Sequence, residues 1–496
     1  MQDWLALAAQ QHPSKPALLI ADAPATYHQL SYGQMNHRVA QLAHWLHTQE
    51  VREGDHVAVL LPNSTLFIDL IHALIRLKAV LVPLNLRLTC DEIRFQIEKA
   101  ECQHLLHSAS HSDLVDQLGF TGKTLNLESY HADETVDIRP FLDGEINLDA
   151  LHALIFTSGT SGRPKAAQIS YGNHYFSAMA SQERLGAFPE ERWLLCLPLY
   201  HVGGIAVVLR SAIYATAIVE LQPQKLNIEG IAQAMNLSQT TMVSLVPTQL
   251  YRLLRGNFTL PSSLRMILLG GAAAPPDLLA ETCQQNIPVA TTYGLTEASS
   301  QVATMLPDAV CQKRGSIGKP LNGTSIRIVD REGNTLPHDE IGEIVIAGPT
   351  VMQGYWKEPQ QTALRNGELF TGDLGYLDAD EDLWLVQRRS DLIVSGGENI
   401  YPVEVENQIR CHVAVDDVAV VGIPHSEWGQ QVAALICLKP DATLTPDALI
   451  LFLRGNLARY KLPRKIIFTP AMPLTGSGKI DRAQVRKQLE TTDRES

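Results

Sequence analysis

LHALIFTSGTSGRPKAAQIS, residues 151–170, reads as a strand, a polar loop and a second strand. The run 151–156 is short and apolar, as a buried strand is, and KAAQIS (165–170) resumes as another. The loop between them holds Thr157, Ser158, Gly159, Thr160, Ser161 and Gly162, with Lys165 at its far end. Glycines let backbone N–H groups approach an anion closely, hydroxyls add donors and the lysine adds charge, a set suited to a triphosphate. A Walker loop has glycine before its lysine and a helix after it. Here Pro164 precedes the lysine and a strand follows, so this is a phosphate cradle of another kind.

Outward from the loop the chain alternates strand and helix twice. Before it, Met35, Val39, Leu42 and Leu46 recur at helical spacing, HVAVLLP (56–62) reads as a buried strand, 66–77 as a helix and AVLVPL (79–84) as the next strand. After it, TTMVSLVP (240–247), LRMILLG (264–270) and IPVATTYG (287–294) are strand-like, separated by the helix-like TQLYRLLR and PPDLLAETCQQ. Alternation of this kind predicts an α/β fold with two parallel, helix-covered sheets. The apolar stretch 203–221 is nearly long enough to span a bilayer. Arg210 interrupts it, and its composition suits a buried helix followed by a strand.

From about 317 to 385, short runs such as SIRIVD, GEIVIAG and LWLVQR separated by turn residues predict a small antiparallel β region. Beyond it, VAVVGIP, VAALICL and KIIFT read as strands and PDALILFLRGNLARY (446–460) as a helix, predicting a small α+β domain. The expected division is 1–389 and 390–496, with a charged, frayed tail after Arg486. A chain of 496 residues exceeds what one core supports, which agrees with two domains.

A net charge of −13 disfavours nucleic acid and anionic membranes as partners. Seven cysteines are spread singly with no C-x-x-C pair, which argues against a disulfide framework or zinc site and suits a reducing cytoplasm. The N-terminus has no basic start and too short an apolar run for a signal peptide.

Four further motifs carry chemistry. YGLTE (293–297) ends a strand in a turn with Thr296 and Glu297; a carboxylate beside a triphosphate is repulsive unless a cation such as Mg²⁺ bridges them. TGD (371–373) offers Asp373, whose carboxylate can accept two hydroxyls at once. GSGKIDR offers Lys479; a lysine that reached both a carboxylate and a phosphate would stabilise the charge where they meet. Gly396 and Gly397 permit close passage of a ligand.

Together and in this order, TSGTSGRPK (157–165), YGLTE, TGD, RRSDLIVSGGENIYPVEVE (388–406) and PLTGSGKIDR (473–482) resemble the signatures of the adenylate-forming superfamily: acyl-CoA synthetases, peptide-synthetase adenylation domains and luciferases. The resemblance covers about 153–482. It implies activation of a small carboxylic acid by ATP and Mg²⁺, then transfer to coenzyme A. It places Tyr293 against the adenine, Glu297 on the metal, Asp373 and Arg388 at the ribose, Lys479 at adenylation and the Gly396–Gly397 loop on the pantetheine arm. It makes 1–389 the ATP- and acyl-binding domain and 390–496 a mobile lid, pivoting at Ser390 or Asp391, since the matching position departs from the usual aspartate or lysine. It leaves the oligomeric state open, a homo-oligomer included.

For the acid itself, Tyr200 and His201 at a strand end, Gly270 and Gly271 in LLGGAAAP, and Ser299 fall where the superfamily builds its acyl pocket. Arg210 lies just beyond. A buried arginine needs an anion or an exit to solvent. GNHYFSA, LPLYHVGG, LLGGAAAP and TYGLTEASSQV resemble the o-succinylbenzoate–CoA ligases of menaquinone and phylloquinone synthesis, whose substrate keeps a benzoate carboxylate after its aliphatic one is activated. That resemblance gives Arg210 its anion. The alternatives are a ligase for another aryl or fatty acid and an enzyme loading a carrier protein.

Overall fold

The structure is a computed structural model, and it describes residues 1–22, 26–157, 164–222, 226–256, 258–272, 274–358, 363–387, 392–473 and 480–491. Among these residues the strands form three sheets. The first runs in the order Lys123–Asn126, His104–His107, His56–Leu60, Val80–Pro83, Leu151–Thr157, Lys165–Ser170. It is parallel except for its last pair, the antiparallel strands on either side of the phosphate-loop sequence.

In the second sheet Pro16–Asp22, Ala217–Leu221, Arg192–Leu195, Met242–Leu245, Met266–Leu269 and Val289–Leu295 lie side by side and parallel. Thr26–Ser31 closes one edge antiparallel. At the other, Ser300–Met305 and Ser316–Pro320 turn antiparallel and lead into Leu383–Gln387, Glu368–Leu377, Gly342–Ala347 and Ser325–Val329. One expectation is corrected here: neither sheet is wholly parallel, because strands joined by turns as short as 296–299 must return antiparallel. The expected antiparallel region is present and continues the second sheet.

Between the two sheets lie helices that are buried on nearly all sides. Every residue from Phe67 to Leu77 of helix Thr65–Leu77 is buried, and Ser64 caps its N-terminus by accepting from the Phe67 amide. Helix Val202–Tyr214 is nearly as buried, as the sequence predicts. Side chains of both sheets and both helices share one core. Truncating Phe67 to alanine there would cost about 3–5 kcal/mol. The outer sheet faces are covered by helices Cys90–Lys99 and Ser112–Leu118 on one side, and by Ile228–Leu237, Pro247–Arg255 and Pro276–Gln284 on the other.

The third sheet belongs to the C-terminal lobe. Gly429–Leu438 is flanked by Val415–His425 and Lys465–Thr469, with the short strands Ile393–Ser395 and Glu398–Ile400 at one end. The expected division at 389/390 falls outside the described residues. Helix Pro446–Leu453 is shorter than the predicted 446–460, since Gly455 follows at once and glycine destabilises a helix interior. The tail does not fray at Arg486: helix Arg482–Thr491 seats Val485 and Leu489, one turn apart, against the sheet with no exposure.

Cys283 and Cys311 form a disulfide with Cα atoms 5.8 Å apart, against the expectation of none. Lone spacing does not exclude a bridge; proximity in the fold decides it. Among the described residues no helix is long and apolar enough to cross a membrane.

Candidate active site

One deep cleft gathers most of the predicted residues. Thr157, Tyr200, His201, Arg210, Gly270, Gly271, Thr296, Glu297 and Asp373 line it from the N-terminal lobe, and Gly397 lines it from the C-terminal lobe. Ser158, Gly159, Thr160, Ser161, Gly162, Arg388, Ser390, Asp391 and Lys479 lie outside the described residues.

The phosphate end is built where strands finish. Thr157 closes its strand and donates to Glu297 Oε1 at 3.3 Å; the Tyr355 hydroxyl donates to the same oxygen at 2.8 Å. Glu297 is buried, and among the described residues no basic side chain forms an ion pair with it. A buried carboxylate met only by neutral hydroxyl donors is a donor set that fits Mg²⁺. Lys165 opens the returning strand, buried, with its ammonium 5.3 Å from the Tyr355 ring centre. Asp373 lies within strand Glu368–Leu377, where Thr371 Oγ1 accepts from the Asp373 amide. Tyr293 does not line the cleft. It is fully buried behind the wall, and its hydroxyl donates to Asp373 Oδ2 at 2.6 Å, so it holds that carboxylate in place.

The other end is narrower in chemistry. His201 does not sit at a strand end; strand Arg192–Leu195 stops earlier, and His201 is the N-terminal flanking residue of helix Val202–Tyr214. Two turns along that helix comes Arg210, 3% exposed. Its Nη2 donates to Ser177 Oγ at 3.1 Å, its guanidinium lies 5.9 Å from the Trp193 ring centre, and its Nε has no partner among the described residues. Among these residues no carboxylate pairs with it. Burial pushes its pKa below the ordinary arginine value. Beside it, burial pushes His174 well below 6.5, with His152 and Arg210 adding, so this imidazole is neutral and does not compete for an anion. Ser299 is not a cleft residue. Its carbonyl accepts from Ser177, and thus it supports Arg210 from behind, while Ser300 and Gln301 reach the cleft instead.

The lobes meet across the cleft. Gly397 has φ +87°, and a Cβ there would come 3.1 Å from Val246 of the N-terminal lobe; this is a close approach only glycine makes comfortably. Gly396 faces Trp428 of its own lobe. Glu398, which the motif reading passed over, accepts from Arg87 at 2.8 Å and lies 3.6 Å from His201. Burial alone would raise its carboxyl, but His201 and Arg87 hold it below the usual carboxylate range. Tyr200 is pushed upward by burial, with Glu398 adding. Ser177, Gln301, Glu398, Tyr460 and Lys461 were also missed, because their partners are distant in sequence and no short motif contains both ends.

The chain matches the AMP-binding enzyme family over residues 5–356 and the AMP-binding enzyme C-terminal domain over 404–479, and it belongs to that family. Among its relatives is a 2-succinylbenzoate–CoA ligase of Bacillus mycoides (strain KBAB4), 37% identical over 494 residues, 99% of each chain. Two solved structures of the o-succinylbenzoate CoA synthetase from Bacillus subtilis, each 35% identical, are also similar. A double mutant bound with its product analogue OSB-NCoA has a TM-score of 0.90, covering 98% of both chains. The complex with ATP and magnesium ion has a TM-score of 0.73, covering 99% of both. Identity is equal, so the gap reflects conformation: this chain shares the arrangement of the product-analogue complex.

Proposed function

We propose that this chain activates 2-succinylbenzoate with Mg·ATP as an acyl-adenylate, releasing pyrophosphate, and then transfers the acyl group to coenzyme A, releasing AMP. The observation that carries the choice of acid is Arg210, a buried guanidinium without a carboxylate partner on the wall of the cleft. Activation uses the aliphatic carboxylate and leaves the benzoate for Arg210 to hold.

In the first step the phosphate loop and Lys165 hold the triphosphate, Thr296 flanks it, and Glu297 holds Mg²⁺, which when bound neutralises phosphate charge. Asp373, fixed by Tyr293 and joined by Arg388, takes the ribose. Lys479 stabilises the charge as the carboxylate attacks the α-phosphorus. In the second step the small lobe, 390–496, presents Gly396 and Gly397 so that the thiol reaches the acyl carbon beside His201. The arrangement of the lobes here, with Gly397 on the cleft wall, suits this second step. The reading places the enzyme in the cytoplasm, where both cosubstrates are available.

The test is pyrophosphate release from a panel of acids, with and without coenzyme A. 2-Succinylbenzoate is expected to give the highest kcat/KM and an AMP product. ADP and phosphate as products, or indifference to coenzyme A, would overturn the reading.

A further inference from the structure

Among the described residues four ion pairs join the lobes, and they are unequal. Arg252–Glu427 is exposed on both sides, and the Arg87 side of its pair with Glu398 is half exposed. His201–Glu398 is long, at 3.6 Å. The fourth is different. Lys461 Nζ donates to Glu92 Oε1 of the N-terminal lobe at 2.5 Å and to Glu404 Oε1 of its own lobe at 2.6 Å. The Lys461 side chain is 4% exposed, Glu92 12% and Glu404 11%. Burial opposes a charged lysine, but Glu404 and Glu92 raise its pKa, so the ammonium persists in the interface.

From this we infer that Lys461 is the pin that holds the small lobe in its thioester-forming pose, with Glu92 as its socket. The inference rests on the two-step reading and names the positioning residues behind its second step. A buried charge left without a partner is strongly destabilising, whereas exposed pairs contribute little. Among the interlobe ion pairs of the described residues this one therefore dominates the polar part of the closure. The geometry also lets the pin withdraw. Glu404, on helix Pro402–Arg410, belongs to the same lobe and travels with Lys461, so rotation of the lobe leaves no orphaned ammonium. Glu92 keeps a task when the lobe departs: its Oε2 accepts from the Thr89 amide at 2.7 Å and hydroxyl at 3.0 Å as the capping partner of helix Cys90–Lys99. Lys461 and Glu92 thus each keep a second partner, as a contact made and broken every turnover requires.

Glu92→Gln tests it. Glutamine serves equally in the capping box, so the helix keeps its cap and only the interlobe charge is lost. Thioester formation from preformed acyl-adenylate should slow about tenfold, with adenylation changed less than about twofold. The exposed Arg252→Gln should change either step less than about twofold. In parallel, the distance between spin labels, one on an exposed residue of each lobe, should shift away from the closed pose in Glu92→Gln. That distance needs no substrate, so it judges the pin independently of which acid the enzyme takes. An unchanged label distance, or equal slowing of both half-reactions, would overturn the inference.

Discussion

The cleft has one wall in each lobe, and different forces hold them. The N-terminal wall grows out of a core shared by two sheets: Arg210 stands on a buried helix, and Tyr293 fixes Asp373 from inside the fold. The C-terminal wall touches the first through ion pairs and the Gly397–Val246 contact. Core burial cannot be given up and regained in each turnover without unfolding the lobe, whereas ion pairs and a glycine contact can. A fixed wall suits recognition of the acid and nucleotide. A removable wall suits chemistry that needs two different groups at one carboxylate in turn.

Variants that separate the walls should separate the half-reactions. Of the substitutions, the largest effect is expected from Lys479→Ala, which should slow adenylation about 10³-fold while largely sparing thioester formation from preformed acyl-adenylate. Equal losses in both steps would break the division of labour. Gly397→Val should do the reverse. A branched side chain at positive φ facing Val246 should slow thioester formation about ten- to a hundredfold, with pyrophosphate release unchanged. Chelating Mg²⁺ sharpens the same contrast: it should abolish adenylation and leave the thioester step intact when acyl-adenylate is supplied. The smallest effect belongs to Tyr293→Phe. Loss of one neutral donor to Asp373 should raise KM for ATP about fivefold, leaving KM for the acid unmoved.

The two walls also differ in how far the sequence reveals them. Strands such as Leu151–Thr157 and helix Thr65–Leu77 were legible because burial imposes a periodicity, and short motifs such as Thr371–Asp373 were legible because their chemistry is local, although they lie in a strand rather than the expected turn. Residues whose partners lie far along the chain were not. Ser177 matters through Arg210 and the Ser299 carbonyl, and Lys461 through Glu92, 369 positions away. Tyr293 was expected to face the nucleotide, but strand alternation turns its ring to the core side. The disulfide was invisible for the same reason as the ion pairs: Cys283 and Cys311 are neighbours only after folding.

The most direct measurement of the account is made on Arg210. Arg210→Leu removes the charge and keeps an apolar side chain in the helix. A charge-assisted hydrogen bond to a desolvated carboxylate is worth roughly 1.5–3 kcal/mol, so KM for 2-succinylbenzoate should rise about ten- to a hundredfold. KM for ATP should hold, because Thr157, Glu297 and Asp373 are untouched. The analogue lacking only the ring carboxylate should be used by wild type and variant alike. If that analogue and 2-succinylbenzoate lose activity in parallel, Arg210 supports the fold rather than reading the second carboxylate, and the assignment of the acid is contradicted at its source.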